Sequence, residues 1–479
     1  MYVLQVASTM TTDRFCVGRL AIDHLSDDLL IYIFKLYQRE FDDNHDRYYT
    51  WRWLAIVHAC KRWRRIIFAW PHHIDVRLYC KSGTAVTKAL DVWPNLPISI
   101  SSWSDHLNDS DGSDLIAALE HRDRIVGIDF SWGLSNIRLE RCAALMQESF
   151  PFLRTLLLHC YSVNPPVMTD AFLGGSAPRL QELILKNIPF PTLPKLLLSA
   201  HGLVELHLEY FASTAYISSD VMATCMSVLP RLHCLSIIFR SAKSIPQVRR
   251  DACSLPPTRV HLPALSMLVF SGFREYSEDL MSRIDAPLLQ YLRLTFFYQP
   301  IFDMPQLSRL ISGTEELESA LFASLDFHED RVAVYMLASL DGSMEYMCTG
   351  LDKQISLLEQ FWTQCLPHVG DLELWKTYNM KKAQQSAIPW LGFLRSFNAL
   401  QVLSLHDEEL EMEVARVLGE LSGESVVEVL PILHTLRLTL DRFDRVEPLL
   451  KPFIDARQLS GHPVTMEWGE AYECGAGLI

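Results

Sequence analysis

The stretch PRLQELIL, Pro178–Leu185, sets three leucines in an L-x-x-L-x-L spacing two residues behind a proline. Alternation places Leu183 and Leu185 on one face of a short strand, and that face has to be buried. The same pattern returns as PFLRTLLL at 151, PRLHCLSI at 230, PALSMLVF at 263, PLLQYLRL at 287, PHVGDLEL at 367 and PILHTLRL at 431. Two copies lack the proline, HGLVELHL at 201 and NALQVLSL at 398, and IVGIDF from Ile125 reads as a weak first copy. The first leucine-type positions are 125, 153, 180, 203, 232, 265, 289, 369, 400 and 433, in steps of 23 to 33 residues apart from one of 80.

Such spacing resembles a leucine-rich repeat, which implies parallel strands with outer helices stacked as an α/β solenoid. The intervening segments are long enough to return as helices, for example Ser219–Leu229, Glu278–Ile284, Asp352–Cys365, Pro389–Phe397 and Val446–Arg457. The long step has room for two or three degraded copies, with ALFASLDF at 320 and RVAVYML at 331 as strand candidates. The usual Asn or Cys three residues past the last leucine is absent, since Tyr161, Ile188 and Phe211 stand there. Curvature is therefore expected to vary from unit to unit.

Ahead of the repeats lies HLSDDLLIYIFKLYQREFDDNHDRYYTWRWLAIVHACKRWRRIIFAW, residues 24–70. Ser26 is a good N-cap, and Asp27 and Asp28 complement the helix dipole. Leu29, Leu30, Ile33, Phe34 and Tyr37 form one broad apolar stripe. After a polar loop from Gln38 to Thr50, a second helical run carries Trp53, Val57, Cys60, Trp63 and Ile67 beside Lys61, Arg62, Arg64 and Arg65, until Pro71 ends it. A domain of about fifty residues hides only about 60% of its chain surface. Part of this apolar surface therefore faces either a partner or the rest of the same chain.

L-S-D-D-L-L-I-Y-I-F followed by L-A-I-V-H-A-C-K-R-W resembles the fungal F-box-like module, with Ser26 in place of the family's proline and a longer loop. The resemblance implies three short helices that dock on the small adaptor subunit of a cullin-type ubiquitin ligase, the SCF complex, and through it on the cullin scaffold. Carried over by position, the adaptor-facing residues are Leu25, Leu29, Leu30, Ile33, Phe34, Val57, Cys60 and Trp63. Burying five such side chains yields about 7–15 kcal/mol gross, against about 4–15 kcal/mol for association. Binding therefore requires that most of them face outward. The expected division is a lead-in over 1–22, the helical domain over 23–72, a bridge and linker over 73–114, and the repeats with a C-terminal cap over 115–479.

The chain has 479 residues, 49% hydrophobic and 21% charged, with a formal net charge of −14. Residues 1–100 hold 13 Lys and Arg against 10 Asp and Glu, and the remainder 30 against 47. So acidic a body argues against nucleic-acid binding. Eleven cysteines without a C-x-x-C read as reduced thiols of a cytosolic or nuclear protein. Apolar runs such as Leu193–Ala200 are far short of the roughly 20 residues of a membrane span.

Catalytic signatures such as G-x-S-x-G, the P-loop and H-E-x-x-H are absent, so neither an enzyme nor a cofactor is expected. Asp42, Asp43, His45 and Asp46 match no calcium loop. Cys365 with His368 lacks the further ligands of a zinc site, so no metal is expected. His72-His73 reads as a helix-end pair.

On the repeats, strand residues alternating with the leucines would line a concave face for an unknown protein substrate. These are Glu182, Lys186, Glu205, His207, Glu209, Arg293, Asp371, Glu373, Trp375, His406 and Arg437. The expectation is a non-catalytic substrate receptor. The alternative is a repeat-based scaffold whose N-terminal helices only cap the repeats.

Overall fold

The computed structural model describes residues 25–42, 53–69, 78–81, 96–101, 112–211, 216–240, 259–297, 305–314, 322–327, 331–337, 369–376, 390–439 and 443–469. The expected lead-in, His45, Asp46, His72-His73, Cys365, His368 and the expected helix 352–365 lie outside these residues, as does most of the linker.

The described residues begin with three helices, α1 (Asp27–Asp42), α2 (Trp53–Ala59) and α3 (Lys61–Ala69). The first continues through residues that the sequence assigned to a loop from Gln38. The strands that follow are β1 (Leu78–Lys81), β2 (Ile98–Ser101), β3 (Ile125–Leu134), β4 (Thr155–Cys160), β5 (Glu182–Lys186), β6 (Glu205–Phe211), β7 (Cys234–Phe239), β8 (Val260–His261), β9 (Met267–Gly272), β10 (Ile284–Asp285), β11 (Tyr291–Phe297), β12 (Phe322–Phe327), β13 (Arg331–Leu337), β14 (Asp371–Lys376), β15 (Val402–Leu405), β16 (Thr435–Thr439) and β17 (Thr465–Gly469). Fifteen form one sheet in the order β1-β2-β3-β4-β5-β6-β7-β9-β11-β13-β12-β14-β15-β16-β17, while β8 and β10 pair separately. The architecture is α/β with a predominantly parallel sheet. That sheet starts at Leu78, inside the stretch assigned to a bridge, and not after residue 115.

Register explains why leucine recurs. Ile100, Ile128, Leu156, Leu183, Leu206, Leu235, Leu268 and Leu292 are successive partners across eight strands, and every one is buried. Behind them Phe130, Leu158, Leu185, Leu208, Ile237, Phe270 and Leu294 make a second buried row. Consecutive strands thus share one apolar seam, and no unit could bury its own leucines alone.

The repeated proline has a local cause. The backbone N–H groups of Leu153, Leu180, Leu232, Leu265, Leu289 and Leu433 donate to the carbonyls three residues back. Each bond closes a turn with Pro151, Pro178, Pro230, Pro263, Pro287 or Pro431 in its second position, where the ring's fixed φ is already suitable. The proline-free Leu203 makes the same bond to Ala200, at 2.9 Å.

The 80-residue step is not filled by further parallel copies alone. β12 is parallel to β14, but β13 runs antiparallel to both β11 and β12 and lies between them. Only three residues separate β12 from β13, too few for the crossover that parallel neighbours need. The chain turns back as a hairpin before resuming parallel order.

Return helices lie close to their expected positions at Ser219–Met226, Arg274–Arg283, Trp390–Arg395 and Phe443–Leu459. The last carries Arg457, whose buried guanidinium donates to the carbonyls of Val426, Pro431 and Leu433 and so ties this helix to the preceding turn.

Candidate interaction surfaces

The apolar side chains of α1 form two rows, not one stripe. Leu30 and Phe34 are 1% and 2% exposed, and the Phe34 ring meets the edge of Trp63 at 5.0 Å between centroids. Val57, Ile66 and Ile67 complete this inner core. Leu30, Phe34 and Val57 therefore do not face outward as expected. A three-helix unit needs a core of its own, and these residues supply it. The outer row is Leu29 (52% exposed), Tyr32, Ile33 (44%) and Leu36, spaced i, i+3, i+4 and i+7 along a single face. Tyr32 and Leu36 escaped the sequence reading although they share the helical period of Leu29 and Ile33.

Polar contacts fix how this row is presented. The Leu29 N–H donates to Ser26 Oγ at 3.3 Å, so Ser26 caps the helix as its side chain suggests. Arg62 bridges α3 to the start of α1, with Nη2 2.6 Å from Asp27 Oδ1 and 2.5 Å from the Leu25 carbonyl. Arg64 donates to the Val57 carbonyl at 3.1 Å, and the Trp63 N–H donates to Cys60 Sγ at 3.4 Å. Two of the four charges in the basic run thus serve the helical unit itself. Leu25 and Trp63 are half-buried against the core, while Cys60, Lys61 and Arg65 are exposed.

On the sheet, the charged residues alternate with the buried leucines as expected, but they fall into two groups. In the first, on β5 and β6, Lys186 pairs with Glu209 at 3.1 Å and His207 lies 3.7 Å from Glu205. Glu209 is only 8% exposed, which corrects its expected place on an accessible face: it sits on β6, between β5 and β7, with its carboxylate paired to Lys186. Burial opposes charge on His207, yet contacts with Cys234 (3.6 Å) and Glu205, together with the Glu209 carboxylate, raise its pKa to about 9. Arg293 is half-buried on β11.

The second group spans β14 to β17. Arg437 Nε donates to Glu467 Oε2 at 2.9 Å, and its Nη1 lies 3.7 Å from Asp371 Oδ2. His406 Nε2 is 3.9 Å from Glu373 Oε1, but burial and the Arg437 charge lower the imidazole pKa to about 4, so the contact is no ion pair at neutral pH. Trp375 belongs to β14, and its side chain lies outside the described residues. Glu467 and Ser404 are additional members that the sequence reading missed. The leucine alternation around β15 marks Ser404 as face-lining, but a small hydroxyl carries no charge signal.

Among the described residues no group of three or more His, Cys, Asp or Glu is placed to hold a metal ion, and no helix is long and apolar enough to cross a membrane. A scan of protein-family models and a search of curated proteins return no match to this chain.

Proposed function

We propose that this chain is a non-catalytic substrate receptor of an SCF-type ubiquitin ligase. The N-terminal helices dock on the adaptor as an F-box-like module, and a leucine-rich-repeat sheet behind them holds a protein to be ubiquitylated. Proximity supplied by the ligase's other subunits does the chemistry. The observation that carries this reading is the row Leu29, Tyr32, Ile33 and Leu36, left exposed although the inner row of the same helix is sealed. A helix that only capped the sheet would need the inner row alone.

Burying the four outer side chains is worth about 6–12 kcal/mol gross, comparable to the about 4–15 kcal/mol cost of association. The row suffices only with help from its surroundings. Exposed Lys61 and Arg65 offer steering toward an acidic adaptor surface. The test is retention of the full chain on purified adaptor, comparing the unaltered chain with Leu29→Asp plus Ile33→Asp. Retention is expected to drop at least tenfold at unchanged melting temperature. Equal retention would reject the receptor reading and leave the helices as a cap.

A further inference from the structure

We infer that the patch formed by Asp371, Glu373, Ser404, Arg437 and Glu467 on strands β14 to β17 receives a lysine or arginine side chain of a bound polypeptide. This rests on the receptor reading above, since the polypeptide is taken as the cargo. In the sheet register Glu373 faces Ser404, Ser404 faces Arg437 and Arg437 faces Glu467, so these four stand in one row. Leu403 and Leu405 are buried in the seam, and alternation sends Ser404 to the opposite side, under the charged row. Ser404 is 1% exposed, and its hydroxyl has no hydrogen-bond partner among the described residues. Asp371 adds a second such atom: Oδ2 lies near Arg437, while the buried Oδ1 accepts no bond among the described residues. Buried polar atoms in native proteins are rarely left in that condition, and here two of them lie beneath one patch.

Charge selects the ligand. Among the described residues Asp371 and Glu467 both pair with the Arg437 guanidinium, the Glu373 carboxylate adds to the negative field around it, and His406 adds no positive charge at neutral pH. An acidic side chain would meet the excess negative charge, and an apolar one would leave Asp371 Oδ1 and Ser404 Oγ unbonded. Lysine brings three donors and arginine five, with no acceptor to repel the carboxylates. A metal ion is the less suitable cation, because among the described residues the carboxylates and imidazole are not grouped as ligands.

The probes are short fluorescent peptides of alternating lysine and serine, or of alternating glutamate and serine, titrated against the full chain at low salt. The lysine peptide is expected to bind more tightly. Asp371→Asn plus Glu373→Gln should weaken it at least tenfold and Ser404→Ala a few-fold, while Glu182→Gln plus Glu205→Gln changes it less than twofold. Arg437→Gln releases the carboxylates and should tighten binding several-fold, a gain that misfolding cannot mimic. Equal binding of the two peptides, or equal loss from the two double variants, would overturn the site. So would a failure of Arg437→Gln to tighten binding. The adaptor plays no part in this titration, so adaptor retention with peptide failure overturns the inference alone. The reverse outcome overturns the receptor reading alone.

Discussion

Asn187 sits two residues past the last leucine of β5, in a left-handed conformation with φ 55°. Its Nδ2 donates to the carbonyls of Cys160 and Ser162, each at 2.7 Å, so it stitches the end of β4 to the end of β5. The usual repeat places this rung one position later, where Ile188 stands in this chain. The rung had moved, because the positive φ closes the strand a residue early. Two lost hydrogen bonds at about 0.5–1.5 kcal/mol each put Asn187→Ala at about 1–3 kcal/mol of destabilisation in denaturant melts. Asn187→Gly, which accepts the backbone angle, should lose less. Two histidines mark opposite ends of the pH profile. His406 is held down to about 4 from 6.5, so the unfolded chain binds its proton first and stability falls as pH drops from 6.5 toward 4. His207 is raised to about 9, so its contribution is complete below 6.5 and fades as pH rises to about 9. Thermal melts should therefore lose their acid slope in His406→Gln and their alkaline slope in His207→Gln. The His406 shift needs Arg437, 31 residues on, and the His207 shift combines its strand neighbours Glu205 and Glu209 with Cys234 of the adjacent strand, so the sequence order alone shows neither in full.

At the scale of elements, helix α1 shows what periodicity can and cannot settle. Apolar residues at 29, 30, 33, 34 and 37 announced a helix correctly, yet could not say which would meet the chain's own core. The packing of Trp63 on Phe34 assigns them: Leu30 and Phe34 inward, Leu29 and Ile33 outward. Substituting the inner pair, Leu30→Asp plus Phe34→Asp, buries unpaired charge and should melt the helical unit in circular dichroism by several kcal/mol. The outer pair Leu29→Asp plus Ile33→Asp should leave the same melt within about 0.5 kcal/mol. The proline turns were half legible. Their recurrence was plain at Pro178 and its counterparts, but their office, pre-setting the turn into each strand, needed the hydrogen bonds closed by Leu180 and its equivalents.

For the whole molecule, the repeats specified a parallel sheet because leucines in register must stack, and the register rows from Ile100 to Leu292 follow that logic. Composition alone hid the reversal at β12 and β13, whose sequences look like ordinary strands. The three residues between them held the answer in their number. LYCK and ISIS read as strand-like pieces of a bridge and not as part of the sheet, because neither belongs to an L-x-x-L-x-L unit, yet both continue it. The molecule thus combines a long sheet with a small helical unit whose outer ridge stays bare. Hydrogen–deuterium exchange on the full chain, with and without purified adaptor, tests that arrangement most directly. Added protection concentrated on the α1 segment from Leu29 to Leu36, with the sheet unchanged, is the expected result. No change in α1 while the adaptor is in excess would contradict the account.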